Sequence, residues 1–160
     1  MTAKEFHNKC DNKGKTICLF LNDKGNIFGG YSSIPWTRNE GDKTANDCFL
    51  FTLTNIYNTE PTKFPYLKDR SVYHDWKSGP RFGLGSDLAF EENYTFESKN
   101  WSYFPASYQD ILGKGKTIFT GNANKDEKYF ILKELEVFES FQSITSRLFY
   151  FYFEFVYIEK

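Results

Sequence analysis

The chain has 160 residues, the length of a single domain and enough to bury a core without a metal or disulfide. Its 20 Lys and Arg against 21 Asp and Glu leave a formal net charge of -1, which excludes the basic excess of a nucleic-acid binder and the repulsion of an acidic disordered chain. Aromatic residues reach 20%, with 18 Phe and 11 Tyr, and such rings fill half-buried pleated surfaces, so composition points to β structure.

Thr2-Ala3-Lys4-Glu5 has the spacing of a capping box, in which the Thr hydroxyl and the Glu carboxylate each take one orphan amide of the other residue. It predicts a short helix with Phe6 and Cys10 on one face and a stop at Gly14. Thr16 to Leu21 reads as a strand, Asn22 to Asn26 as a turn, and Ile27-Phe28 as the returning arm of a hairpin. Gly29-Gly30 interrupts that arm, marking a bend or a close backbone approach. Thr37 to Asn46 is a polar loop, and Asp47 to Thr54 is a strand with Phe49, Phe51 and Leu53 on one face.

Residues 55 to 70, with Pro61 and Pro65, read as an irregular connection. Ser71 to His74 and Asp87 to Phe90 read as short strands flanking a turn at Gly79-Pro80, and residues 91 to 126 show no clear period. Tyr129 to Phe138 is the last strand. Phe130 and Leu132 share one parity and Leu135 and Val137 the other, so a bulge near Glu134 is needed to bring all four inward.

Residues 140–160 form an aromatic tail holding, from Phe141 on, 8 of the chain's 32 aromatics. Its apolar run from Leu148 to Ile158 is too short to span a membrane and carries Glu154, but it is aggregation-prone if exposed. An added strand, a docked segment and a foreign appendage all fit it.

Three cysteines, Cys10, Cys18 and Cys48, are odd in number and lack C-x-x-C spacing, so no disulfide framework is expected. Met1 to Glu5 is polar with no apolar segment behind it, so no secretion is expected; the chain reads as a soluble cytoplasmic protein of a reducing compartment. The Asn93 and Asn100 glycosylation patterns are then chance matches. The glycines of 79–87 suggest a phosphate cradle, but no Gly-Lys-Ser/Thr opens a helix there, and tight turns explain them. His7 and Cys10 are the only short-spaced metal-ligand pair, so neither a metal nor another cofactor is expected. A thiol enzyme consuming peroxide through Cys10, Cys18 or Cys48 is one alternative reading, with Lys9 and Lys13 near Cys10. A glycan-binding surface of Tyr31, Trp36 and Trp101 is another, and Glu134 with Glu136 is a carboxylate pair that a solvated strand face also explains.

Four stretches carry a family resemblance: Phe6 to Thr16, Phe28 to Trp36 (Phe-Gly-Gly-Tyr-Ser-Ser-Ile-Pro-Trp), Asp47 to Leu53, and Gly79 to Leu88 followed by Phe130 to Val137. In this order and spacing the chain resembles the TLDc domain, the shared module of the oxidation resistance proteins, over roughly residues 4–139. The resemblance implies an α+β fold, a two-sheet antiparallel β-sandwich with a few short surrounding helices, occupying residues 1–139. It also implies a further helix ahead of Phe6, with no counterpart here.

The same resemblance implies a non-enzymatic, regulatory protein-interaction module, tied to oxidative-stress resistance and to binding of vacuolar proton-pumping ATPase subunits, with no catalytic residues. The motif positions Gly29, Gly30, Pro35, Trp36, Gly79, Pro80, Phe82, Gly83, Gly85 and Asp87 are structural, the glycines as backbone requirements. The sequence expectation on which this rests is that alternate side chains of Phe49–Leu53 and Phe130–Val137 face inward across two stacked sheets.

Overall fold

The computed structural model describes residues 2–91, 99–140 and 156–157. Helix α1 (Ala3–Cys10) starts on the expected capping box: Glu5 N–H donates to Thr2 Oγ1 at 3.2 Å and Thr2 N–H to Glu5 Oε2 at 2.6 Å. Phe6 and Cys10 are buried on its inner face. The helix ends before Gly14, because Asp11 turns extended and bridges Trp36.

Strands β1 (Lys15–Asn22), β2 (Ile27–Ser32), β4 (Phe49–Thr54), β5 (Thr62–Pro65), β8 (Lys99–Trp101), β9 (Tyr129–Ser140) and β10 (Val156–Tyr157) form the larger sheet. Its order is β10-β9-β1-β2-β4-β5, with β8 pairing to the start of β9 and β10 to its end. A smaller sheet joins β3 (Gly41–Lys43), β6 (Val72–His74) and β7 (Arg81–Phe82). The pairings between these strands are antiparallel, so the α+β, two-sheet fold read from the sequence is present. Helix α2 (Thr117–Thr120) is a single turn.

The core lies between the inner face of the large sheet and everything packed on it. Cys18, Phe20, Phe28, Leu50, Phe64, Phe130, Leu132 and Val137 meet Val72 and Phe82 of the small sheet, Phe6 and Cys10 of α1, and Ile118 and Phe119 of α2. The bulge in β9 is real: Leu21 pairs with Glu134 but Asn22 with Leu132, so Lys133 is the extra residue. Phe130, Leu132 and Val137 are consequently buried together, with Leu135 packed against them.

Several elements differ from the sequence expectation. β2 runs unbroken through Gly29-Gly30. The loop 37–46 contains β3 and the connection 55–70 contains β5, an edge strand where Pro65 is tolerated. Asp87–Phe90 is not a strand, because Leu88 bridges Phe82 while Ala89 bridges Trp101, and no continuous ladder forms. β4 and β9 belong to one sheet and do not oppose each other across the sandwich. Phe49, Phe51 and Leu53 point to the outer face of that sheet, where they join a second apolar cluster, while Leu50 points to the core. Of the aromatic tail, only the backbone of Ser140, at the end of β9, and of Val156–Tyr157 falls among the described residues. The Asn93 pattern lies outside them, and Asn100 is buried.

Candidate functional site

The turn Gly83-Leu84-Gly85-Ser86 takes left-handed backbone angles at Gly83 (φ 80°), Gly85 (φ 71°) and Ser86 (φ 70°). Gly83 has a second reason to lack a side chain, since a Cβ there meets the carboxylate of Asp87. Asp87 is fully buried and accepts from the amides of Ala106 (2.5 Å) and Ser107 (2.9 Å), while its own carbonyl accepts from Ser102 Oγ at 2.7 Å. Burial pushes its carboxyl up to about 6, against the downward pull of the amides of Ala106, Ser107 and Tyr108.

Ser107 extends this knot outward. Its carbonyl accepts from Leu67 N–H at 2.8 Å and its hydroxyl from Leu84 N–H at 2.7 Å. Tyr108 O–H donates to Ser71 O at 2.5 Å, closing the circuit to the small sheet. Three loops are thereby fastened at one end of the sandwich, where Leu67 (60%), Leu84 (42%), Tyr103 (45%) and Ile111 (51%) are exposed.

Beside them is an open depression of about 280 Å³ lined by Tyr103, Phe104, Lys114, Lys116, Thr117 and Lys125. That volume is at the small end for a ligand pocket. Here the sequence reading missed a signal: Gly115-Lys116-Thr117 does open a helix, α2. The amides of Leu112, Gly113 and Gly115 nevertheless all donate to Asp110, so the chain's own carboxylate fills the nest.

The other motif residues gather behind this end. Gly30 lies under the Phe82 ring, where a Cβ meets Cζ at 2.5 Å. Phe82 and Phe6 both contact Trp36 edge-on at 5.6 Å between ring centroids, and Trp36 Nε1–H donates to Thr16 Oγ1 at 2.8 Å. Gly29 faces the opposite side, under Phe51. Gly79 and Pro80 are buried, with Gly79 N–H donating to Phe90 O, whereas Pro35 is exposed.

Compared with known protein families, the sequence matches the TLDc domain over residues 1–141. The chain belongs to the TLDc family. A search of curated proteins found none that matches it.

In this TLDc domain the two histidines hold α1 and the small sheet in place. His7 is buried, with Nδ1 2.8 Å from Asp11 Oδ1 and Nε2 3.0 Å from Asp75 O. His74 pairs Nδ1 with Thr37 Oγ1 at 3.0 Å, its buried Nε2 has no hydrogen-bond partner, and burial, with Lys43 nearby, pushes its pKa down to about 4. Among the described residues no three His, Cys, Asp or Glu side chains gather as metal ligands. Nor does any described helix have the length and apolarity to cross a membrane.

All three thiols are buried. Burial drives Cys10 up to about 12 and Cys18 well above its ordinary value, the opposite of what a peroxide-reacting thiolate requires. Tyr31 and Trp36 are buried too, so the TLDc fold does not present them to a glycan.

Proposed function

We propose that this TLDc domain is a non-enzymatic interaction module that binds a protein partner with the loop end built on Asp87 and Ser107. The observation that carries the reading is Ser107 holding the Leu67 and Leu84 backbones within 2.8 Å while both side chains stand exposed. Apolar side chains held on fixed backbone contribute contact area with little entropy lost on binding. The family resemblance names the partner class as subunits of the vacuolar proton-pumping ATPase and the setting as resistance to oxidative stress. The elevated Cys10 and Cys18 thiols support a binding role over peroxide turnover.

A pull-down from cell extract tests this. The native chain recovers proton-pump subunits, and the Leu67→Glu/Leu84→Glu variant recovers at least tenfold less. Its melting temperature stays near that of the native chain, since such exposed substitutions typically change stability by only ~0.5 kcal/mol. Recovery of no pump subunit, beside a control TLDc domain that succeeds, rejects the partner. Undiminished recovery by the double variant rejects the surface.

A further inference from the structure

Lysine gathers at one place on a chain whose 20 basic and 21 acidic residues are otherwise in balance. The open depression of about 280 Å³ beside the exposed loop end takes its charge from Lys114, Lys116 and Lys125, and no Asp or Glu lines it. Its wall is aromatic, made by Phe104 and the 45% exposed Tyr103. Lys128 adds a fourth cation, with Nζ donating to the Tyr103 hydroxyl. Among the described residues, none of these four lysines forms an ion pair with a carboxylate.

The local fold holds two of the lysines on fixed backbone. Asp110 accepts from the amides of Leu112, Gly113 and Gly115, and left-handed φ values at Gly113 (65°) and Gly115 (59°) turn the chain on either side of Lys114. Thr117 Oγ1 donates to Lys114 O at 2.7 Å and accepts from Tyr57 O–H at 2.7 Å, which seats the Tyr57 ring with its centroid 4.7 Å from Lys114 Nζ. Lys125 comes from the loop ahead of β9, where Asn124 Oδ1 accepts from Asp126 N–H at 3.0 Å. Three carboxylates are close in sequence. Asp110 is taken up by its three amides, Glu127 Oε1 accepts from Tyr129 N–H at 2.9 Å, and Asp126 is exposed beside it.

What the depression offers decides which anion fits. The backbone amides that would wrap a phosphate are already occupied by Asp110. Side-chain ammonium groups remain, and these are compact charges on flexible stems that meet a carboxylate in several orientations. A molecule of cofactor size needs a larger cavity. The site is concave, so a peptide side chain enters it where a flat lipid headgroup layer would span it. Tyr103 belongs both to the depression and to the exposed apolar end with Leu67, Leu84 and Ile111, so charged and apolar surfaces adjoin.

We propose that this depression docks an acidic peptide segment of the partner, its Asp and Glu carboxylates set among Lys114, Lys116 and Lys125 and its backbone lying against Tyr103. The assignment rests on reading the loop end as a partner-binding surface, and it names the chemistry of what binds there. Complementary charge of this kind contributes specificity and speed of association.

Fluorescence anisotropy on the purified full chain tests it, using a fluorescein-capped Asp-Glu-Asp-Leu-Glu-Asp-Glu peptide and no cell extract. The native chain binds the peptide, and at least tenfold more weakly in ~0.3 M than in ~0.03 M salt, because exposed charges are screened. Lys114→Gln/Lys125→Gln weakens low-salt binding at least tenfold. Lys4→Gln/Lys13→Gln, which removes two exposed lysines at α1, changes it by less than about twofold. No binding, equal binding of the peptide with Asn and Gln for its Asp and Glu, or equal loss from both lysine pairs overturns the proposal. Phosphatidylserine vesicles captured in place of the peptide overturn it in favour of a membrane. If the Lys114→Gln/Lys125→Gln chain melts well below the native one, carbodiimide coupling of the peptide to the unaltered protein decides. Amide crosslinks chiefly to Lys114, Lys116 or Lys125 support the site, and crosslinks chiefly to other lysines refute it. The wider reading of the loop end is judged separately, by recovery of pump subunits in the pull-down.

Discussion

Gly29 and Gly30 are neighbours in one strand, so their missing side chains point to opposite faces of the large sheet. The Phe82 ring fills the space on the core side and the Phe51 ring fills it on the outer side. Neither glycine has a positive φ; what each supplies is room. A Gly30→Ala substitution forces its Cβ against Phe82 in a close-packed core, and overpacking of this kind costs ~1–3 kcal/mol. Urea unfolding should show that loss, and Phe82→Leu in the same chain should recover part of it. Close approach at this pair was legible in the sequence. Which rings approach was not, because Phe51 is 21 residues and Phe82 52 residues beyond Gly30. Gly83 is a different case, requiring both its left-handed φ and clearance from Asp87.

At the scale of elements, α1 and α2 show two ways of holding a helix too short to stand alone. α1 carries its own cap in Thr2 and Glu5, and for that reason its start could be read from four residues. α2 has no side-chain cap at its start, and its final carbonyls are satisfied from the β1–β2 turn: Asn22 Nδ2 donates to Phe119 O at 2.9 Å and Thr120 O at 3.2 Å. The Asn22 Oδ1 atom meanwhile accepts from Lys24 N–H and Asn26 N–H, shaping the turn itself. An Asn22→Leu substitution leaves several buried backbone groups without partners, each costing ~1–3 kcal/mol. The expected result is a loss of at least ~2 kcal/mol in chemical denaturation, and preservation of stability would disprove this role for Asn22. Sequence reading saw a turn at Asn22–Asn26 and no helix at 117–120, because the two halves of this arrangement are almost a hundred residues apart. β3 and β5 were hidden for a related reason: Gly-Asp-Lys and Thr-Lys-Phe-Pro are too short to show an alternation, and only their partners β6 and β4 make them strands.

For the whole molecule, His74 and Asp87 make stability depend on pH in opposite senses. Burial lowers His74 from 6.5 to about 4, so between these values the unfolded chain binds more protons and stability falls as pH drops. Burial raises Asp87 from 3.8 to about 6, so in that range the folded chain binds more protons and stability falls as pH rises. The two slopes partly cancel between pH 4 and 6. Melting curves recorded from pH 4 to 7 should therefore separate with substitution. An Asp87→Asn chain should lose stability more steeply on acidification than the native protein. A His74→Asn chain should gain relative stability at the acid end, and a native-like acid slope in it would contradict the assignment.

The sequence by itself determined the local, short-range features of this protein: the capping box of α1, the alternation of β4, the β9 bulge and the ordered TLDc motifs. The first three are decided by residues within a few positions of one another, where period and parity act directly, and the motifs are each local stretches read in their order along the chain. Tertiary structure alone decided that β4 and β9 share one sheet, that Phe49 and Phe51 serve a second apolar face, and that Leu67 and Leu84 are presented by Ser107. Those outcomes depend on which distant segments meet, and the free energy that selects them comes from burial and hydrogen bonds that exist only once the chain has closed on itself.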